Sequence, residues 1–157
     1  KAILKNGLNA VLCVGESEEE RKRGQTSNVL KKQLKGCLAE ITPGKLDYIA
    51  IAYEPIWAVG TDNIPTSDEI LEAKIIIKKE IAELYSAKSA EKIRILYGGS
   101  VKSNCAEQVC LDPAMDGALV GRESLRLSAL QVEHANDAIF HTQRHGQFRA
   151  GRQRAGQ

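Results

Sequence analysis

The chain has 157 residues, 43% of them hydrophobic, enough for one domain with a real core and too many for a mostly disordered chain. No apolar run approaches the roughly 18 residues of a membrane span, and no signal-peptide pattern opens the chain, so a membrane partner is excluded. The net charge of +2 hides an asymmetry: residues 138–157 hold Arg144, Arg149, Arg152 and Arg154 and no acid, which leaves −2 for residues 1–137.

The chain starts on Lys1 and not Met, which reads as a start other than that of translation. Residues Lys1–Leu8 look like the tail of an earlier helix. A first strand is predicted at Ala10–Val14, followed by Gly15-Glu16-Ser17, where Ser17 and Glu20 form a capping box. The helix it opens is expected to run to about Glu40 and to end near Pro43-Gly44. The second strand is Tyr48–Tyr53. Thr66 and Glu69 make a second capping box, and Ile70, Ile77, Ile81 and Leu84 form one stripe at helical spacing. The third strand, Ile93–Tyr97, ends in Gly98-Gly99-Ser100, with Asn104 and Glu107 placed to start a short helix. The fourth is Ala118–Val120, ending in Gly121-Arg122, with a turn of helix from Ser124. Ala129–Phe140 reads as a last amphipathic helix. These boundaries give one unit over 1–140 and a basic, disordered tail over 141–157.

Strands that alternate with helices imply parallel pairing, in either an open doubly wound sheet or part of a (β/α)8 barrel. Every candidate chemical residue follows the C-terminal end of a strand, where barrels carry their sites. A complete barrel takes about 250 residues, so four units make half of one. Four cysteines (Cys13, Cys37, Cys105, Cys110) lack a paired spacing and read as free thiols in a reducing cytosol.

Glu54 is the candidate base. Pro55 biases it toward an extended backbone, which holds its side chain at the strand's end. The stiff Pro55-Ile56-Trp57 corner and the small Ala58-Val59-Gly60-Thr61 segment suit a lid. A carboxylate that such a lid shields from water gains basicity and can take a proton next to a carbonyl. The plain alternative is a Glu that only caps or pairs with a cation. The glycines of Tyr97-Gly98-Gly99-Ser100-Val101 let a backbone approach a ligand, and successive N–H groups can form an anion nest. Gly121 and the N–H of position 122 offer a similar geometry ahead of a helix. Taken alone, each glycine motif is more often just a turn.

Cys13-Val14-Gly15-Glu16, the Tyr53–Thr61 segment, Tyr97–Val101 and Asp116–Gly121 together resemble triosephosphate isomerase over about residues 1–125, in the family's order and with similar spacing. The resemblance implies a TIM barrel, present here as its C-terminal half, strands five to eight with their helices. It implies that Glu54 shuttles a proton through an enediolate between dihydroxyacetone phosphate and glyceraldehyde 3-phosphate, with no cofactor and no metal. Pro55, Ile56, Trp57, Ala58, Val59, Gly60 and Thr61 would belong to the lid. Gly60, Ser100, Gly121 and Arg122 would bind the phosphate, and Glu16 and Tyr97 would support the lid, with Arg21 beside that corner. A cytoplasmic homodimer is implied for the full-length family.

The family's electrophilic histidine and substrate lysine belong to the half that is not represented, and His134, His141 and His145 all follow the last barrel strand. The chain alone is therefore expected to have little or no isomerase activity. Arg122 replaces a usual glycine, Asp62 stands where the lid often has glycine, and Pro65 lacks an N–H that could latch a closed lid. Other readings are an inert half-barrel or interaction module and another phosphate-binding barrel enzyme. Nucleic-acid binding by the tail has little support, since Phe148 is its only aromatic residue after the expected helix. A half-barrel with two unpaired edges is expected to be molten or self-associating.

Overall fold

The computed structural model describes residues 1–121 and the strand Ile139–Thr142. Five strands form one parallel sheet in chain order: β1 Ala10–Val14, β2 Ile49–Tyr53, β3 Arg94–Tyr97, β4 Gly117–Val120 and β5 Ile139–Thr142. Val14 pairs with Tyr53, and Tyr53 with Tyr97, so the C-terminal ends of β1 to β3 lie level. The helices are α1 Ala2–Lys5, α2 Glu18–Lys22, α3 Thr26–Leu38, α4 Ser67–Leu84 and α5 Ala87–Lys92. Parallel strands and intervening helices fit an α/β barrel fragment. No helix among the described residues is long and apolar enough to cross a membrane.

Alternation along the strands divides the core. Ile49, Ile51 and Tyr53 of β2 and Ile95 and Tyr97 of β3 join Leu30, Leu34 and Leu38 of α3 and Ile70, Ala73, Ile77 and Ile81 of α4 in one buried cluster. Ala50, Ala52 and Leu96 face the other way and meet Val11 and Leu119. All of β2 is buried, as befits a parallel strand covered on both faces. Each fully buried Leu or Ile contributes about 1.5–3 kcal/mol of transfer free energy, so the helix-facing layer dominates cohesion.

Both capping boxes form: Ser17 with Glu20, and Thr66 with Glu69. The helix expected from Ser17 to about Glu40 is instead two. Gly24 adopts φ 65°, a left-handed conformation that ends α2 and lets α3 start afresh at Thr26. Leu84 is not part of the buried stripe, being 37% exposed, whereas Ala73 and Glu80 are buried on α4. Tyr48 belongs to a 3-10 helix, Pro43–Tyr48, and not to β2. The short helix expected near Asn104 is a 3-10 turn, Ser103–Cys105, followed by a π-helical turn, Glu107–Leu111.

β5 is the largest departure from the expected layout. Ile139 and Phe140, expected to end a helix, and His141 and Thr142, expected to open a disordered tail, pair in register with Gly117–Val120. A β-branched and aromatic tetrapeptide there satisfies the ladder groups of β4 that would otherwise be open. The remaining expectations for 122–138 and 143–157, including the helix from Ser124, lie outside the described residues.

Candidate active site

The loops after β1, β2 and β3 are stitched together at their C-terminal ends. Glu54 N–H donates to Val14 O at 2.8 Å, Gly98 N–H to Tyr53 O at 2.8 Å, and Ile56 N–H to Glu16 O at 3.0 Å. Gly15 is forced by this closeness: a Cβ there would stand 2.0 Å from the Glu54 carbonyl oxygen. Gln33 of α3 grips the same residue from both sides, accepting from Gly15 N–H at 2.9 Å and donating to Gly15 O at 2.8 Å. Glu54 thus leaves β2 from a backbone fixed on each flank.

The Glu54 side chain is half-buried, against Cys13. Although part of Cys13 is exposed, loss of water around the thiol, then its hydrogen bond to the Glu54 carboxylate and the carboxylate's charge, push its pKa up to about 12. Cys13 therefore stays protonated near neutrality and offers Glu54 a weak donor. With Val14, Gly15, Gln33, Ile56 and Val59 they line a hollow of about 300 Å³. A second hollow, about 270 Å³, lies at the opposite end of the strands around Leu46, Lys88 and Lys92 and contains none of the candidate residues. The chemistry of Glu54 selects the first.

Behind Glu54 sits a buried charge network. Glu16 is fully buried, and its Oε1 accepts from Arg21 at 3.1 Å, from the Tyr53 hydroxyl at 3.0 Å and from Trp57 Nε1 at 3.2 Å. Burial, then the Glu16 charge, raise the Tyr53 hydroxyl pKa, so it remains a donor. Arg21 also donates from Nε to Glu69 at 3.0 Å and lies 5.5 Å from the Trp57 ring centroid, within cation–π range. Desolvation would raise the Glu69 pKa, but the Thr66 N–H and Arg21 outweigh it and hold it below its ordinary value. One carboxylate thus ties α2, β2 and the residue at the corner after Glu54.

The expected lid is ordered. Pro55 leads into a 3-10 turn, Ile56–Ala58, and Gly60 adopts φ 67°. The Thr61 hydroxyl donates to Trp57 O at 2.9 Å and accepts from Asn63 N–H at 3.2 Å. Ile56 and Val59 are exposed, while Ala58 is buried. Of the expected phosphate groups, the Ser100 N–H is engaged, donating to Ala58 O at 3.0 Å, so in this state it is not available to an anion. Gly60 and Gly121 are exposed. Arg122 lies outside the described residues. The Tyr97 hydroxyl is buried with no hydrogen-bond partner among the described residues, and a Cβ at Gly99 would stand 2.2 Å from it.

Sequence reasoning placed Glu54, Glu16, Trp57 and Ser100 near one another but missed other contacts. Cys13 stood in a quoted motif without a role against Glu54, and Gln33 carries no motif, although it lies one residue from Leu34 on the buried side of α3. Asp62 and Lys102, joined by an ion pair, lie 40 residues apart in the chain and have no local signal.

Parallel strands with intervening helices and polar residues gathered beyond the C-terminal ends fit the class of α/β barrel proteins. The triosephosphate isomerase family profile matches residues 1–135. A triosephosphate isomerase of Paracoccidioides lutzii is 41% identical over 135 residues, 86% of this chain and 54% of that protein. Those of Citrifermentans bemidjiense and Geotalea uraniireducens are each 44% identical, over 126 and 125 residues, 80% of this chain and 50% of theirs. The chain belongs to the triosephosphate isomerase family, and it spans about half the length of the curated relatives it matches.

Proposed function

We propose that this chain is the C-terminal half of a triosephosphate isomerase barrel, with Glu54 as the base that interconverts dihydroxyacetone phosphate and glyceraldehyde 3-phosphate. The observation that carries this reading is the fixed placement of Glu54, at a strand end and beside a hollow, with an ordered lid segment starting at the next residue. Glu54 takes a proton next to the carbonyl of one triose phosphate and returns it to the neighbouring carbon of the enediolate, with no cofactor. The base and the electrophile that stabilises the enediolate oxygen divide the work. The second of these falls in the half that this chain does not span, and such oxyanion donors are worth about 10²–10³ in rate.

Gly60, Ser100, Gly121 and Arg122 bind the phosphate in this reading. Since Ser100 N–H is held by Ala58, substrate exchanges that bond for one to phosphate as the segment moves. Glu16 holds Trp57 in the state seen here, and the Tyr97 hydroxyl, without a partner among the described residues, is left for the lid's other position. Free cysteines fit a cytoplasmic setting, and the family resemblance points to a homodimer for the full-length protein. The second reading, an inert half-barrel or interaction module, draws on one observation: β1 has no partner on its outer side among the described residues.

The test is an isomerase assay on the full chain alone and mixed with the N-terminal half of the Citrifermentans bemidjiense relative. Activity is expected only in the mixture, and Glu54→Gln should lower it about 10³-fold. A folded but silent mixture, or full activity in Glu54→Gln, overturns the assignment.

A further inference from the structure

We propose that the ion pair between Asp62 and Lys102 positions the rear of the lid, so that the lid's excursion from the sheet depends on ionic strength. The inference rests on the lid reading above and concerns residues that reading does not use. The front of the segment is anchored by backbone bonds from Glu54 and Ile56 to Val14 and Glu16. Its rear, residues 60–65, has no such backbone bond among the described residues. Pro65 has no N–H to give, and its carbonyl only accepts from Gln108 Nε2 at 2.9 Å. The buried Tyr97 hydroxyl has no hydrogen-bond partner among the described residues, so it does not hold residues 60–65 either. The middle of the segment is tied to the loop after β3 by Ser100 N–H to Ala58 O, and further back the Asp62–Lys102 pair joins it to the same loop.

Lys102 is built as a fixed post. Its N–H donates to Cys105 Sγ at 3.3 Å, and Cys105 Sγ donates back to Lys102 O at 3.4 Å. Asp62 in turn moves with the lid, because the Thr61 hydroxyl clamps Trp57 to Asn63 on either side of it. A pull on Asp62 is therefore a pull on Trp57. The Asp62 side chain is 93% exposed and that of Lys102 40%, so salt screens the pair readily. Exposed pairs of this kind shift an equilibrium by about two- to fivefold, which biases the lid without locking it.

Trp57 is the chain's single tryptophan, so its fluorescence reports the lid alone. Acrylamide quenching of the full chain should rise about twofold between about 0.02 M and about 1 M NaCl. Asp62→Asn and Lys102→Gln should each reach the high-salt value already at low salt and lose the salt dependence. The exchanged double variant Asp62→Lys with Lys102→Asp should restore it, which a merely unfolded lid would not do. Salt-independent quenching in the parent chain, unaltered quenching in the single variants, or no restoration by the exchange overturns the proposal. Failure of the underlying lid reading has another signature: quenching follows the ion pair, but turnover of the reconstituted enzyme does not.

Discussion

Glu80 and Glu16 are both fully buried carboxylates, yet they sit in opposite circumstances. Glu16 accepts three hydrogen bonds on one oxygen. Among the described residues neither oxygen of Glu80 has a hydrogen-bond partner, and Lys35 Nζ, 3.6 Å away, keeps most of its own side chain in water. Burying a poorly compensated charge costs more than the distant attraction returns. Glu80→Met, which keeps volume and removes the charge, should therefore raise stability by about 1–3 kcal/mol in urea unfolding. Lower stability would mean that the Lys35 pair is worth more than its geometry indicates. Nothing in the helical pattern announced Glu80, because periodicity ranks residues by polarity and puts a Glu on the outside. The pattern instead pointed to Leu84, whose surface is partly open. Glu54 was legible for the converse reason: its proline neighbour and its place after an apolar run are local facts. Cys13, Gln33 and the Asp62–Lys102 pair depend on distant segments meeting, which no window along the chain contains.

Helix starts were among the most readable elements, since a capping box is decided within four residues. The box at Thr66 also carries a load beyond α4, because Glu69 accepts at once from Thr66 N–H and from Arg21. Thr66→Ala should cost about 1 kcal/mol. It should also alter the acid limb of stability. The folded-state pKa of Glu69 lies below its ordinary 4.5, so its contribution is fully present above that value. It is lost as pH falls through the folded pKa, because the unfolded chain takes up the proton first. Unfolding midpoints measured from about pH 6 to about pH 3 should therefore fall less steeply in Glu69→Gln than in the parent chain. Parallel slopes would show that the Arg21 link contributes nothing in solution. The break at Gly24 was less readable. A glycine inside a polar helical run is ordinarily tolerated, and only the left-handed backbone makes it a stop.

β1 and β5 are the two edges of the sheet, and neither has an outer partner among the described residues, while β4 is covered by β5. Open edges recruit other chains, so self-association should run through these edge strands, β1 among them. Val11→Lys should reduce it in sedimentation velocity. Proline at both Phe140 and His141 should increase it, since one of two consecutive residues must donate to β4. If the proline pair leaves the sedimentation profile unaltered, β5 does not protect that edge in solution. The parallel four-strand plan was legible because each apolar run ends in glycine or proline punctuation. β5 was not, since four residues flanked by Gln, Arg and Gly carry too little apolar character to stand out. The strand forms because an edge is waiting for it.

That the sheet's order repeats the order of the chain has a consequence for synthesis. Each strand after β1 that leaves the ribosome has one preceding neighbour, and that neighbour has already emerged. No strand waits for a later one to be inserted between it and its partner. The sheet can therefore grow co-translationally by addition at one side, much as a filament elongates. A chain interrupted between units leaves behind a shorter sheet of the same pattern, with its newest strand as the growing end.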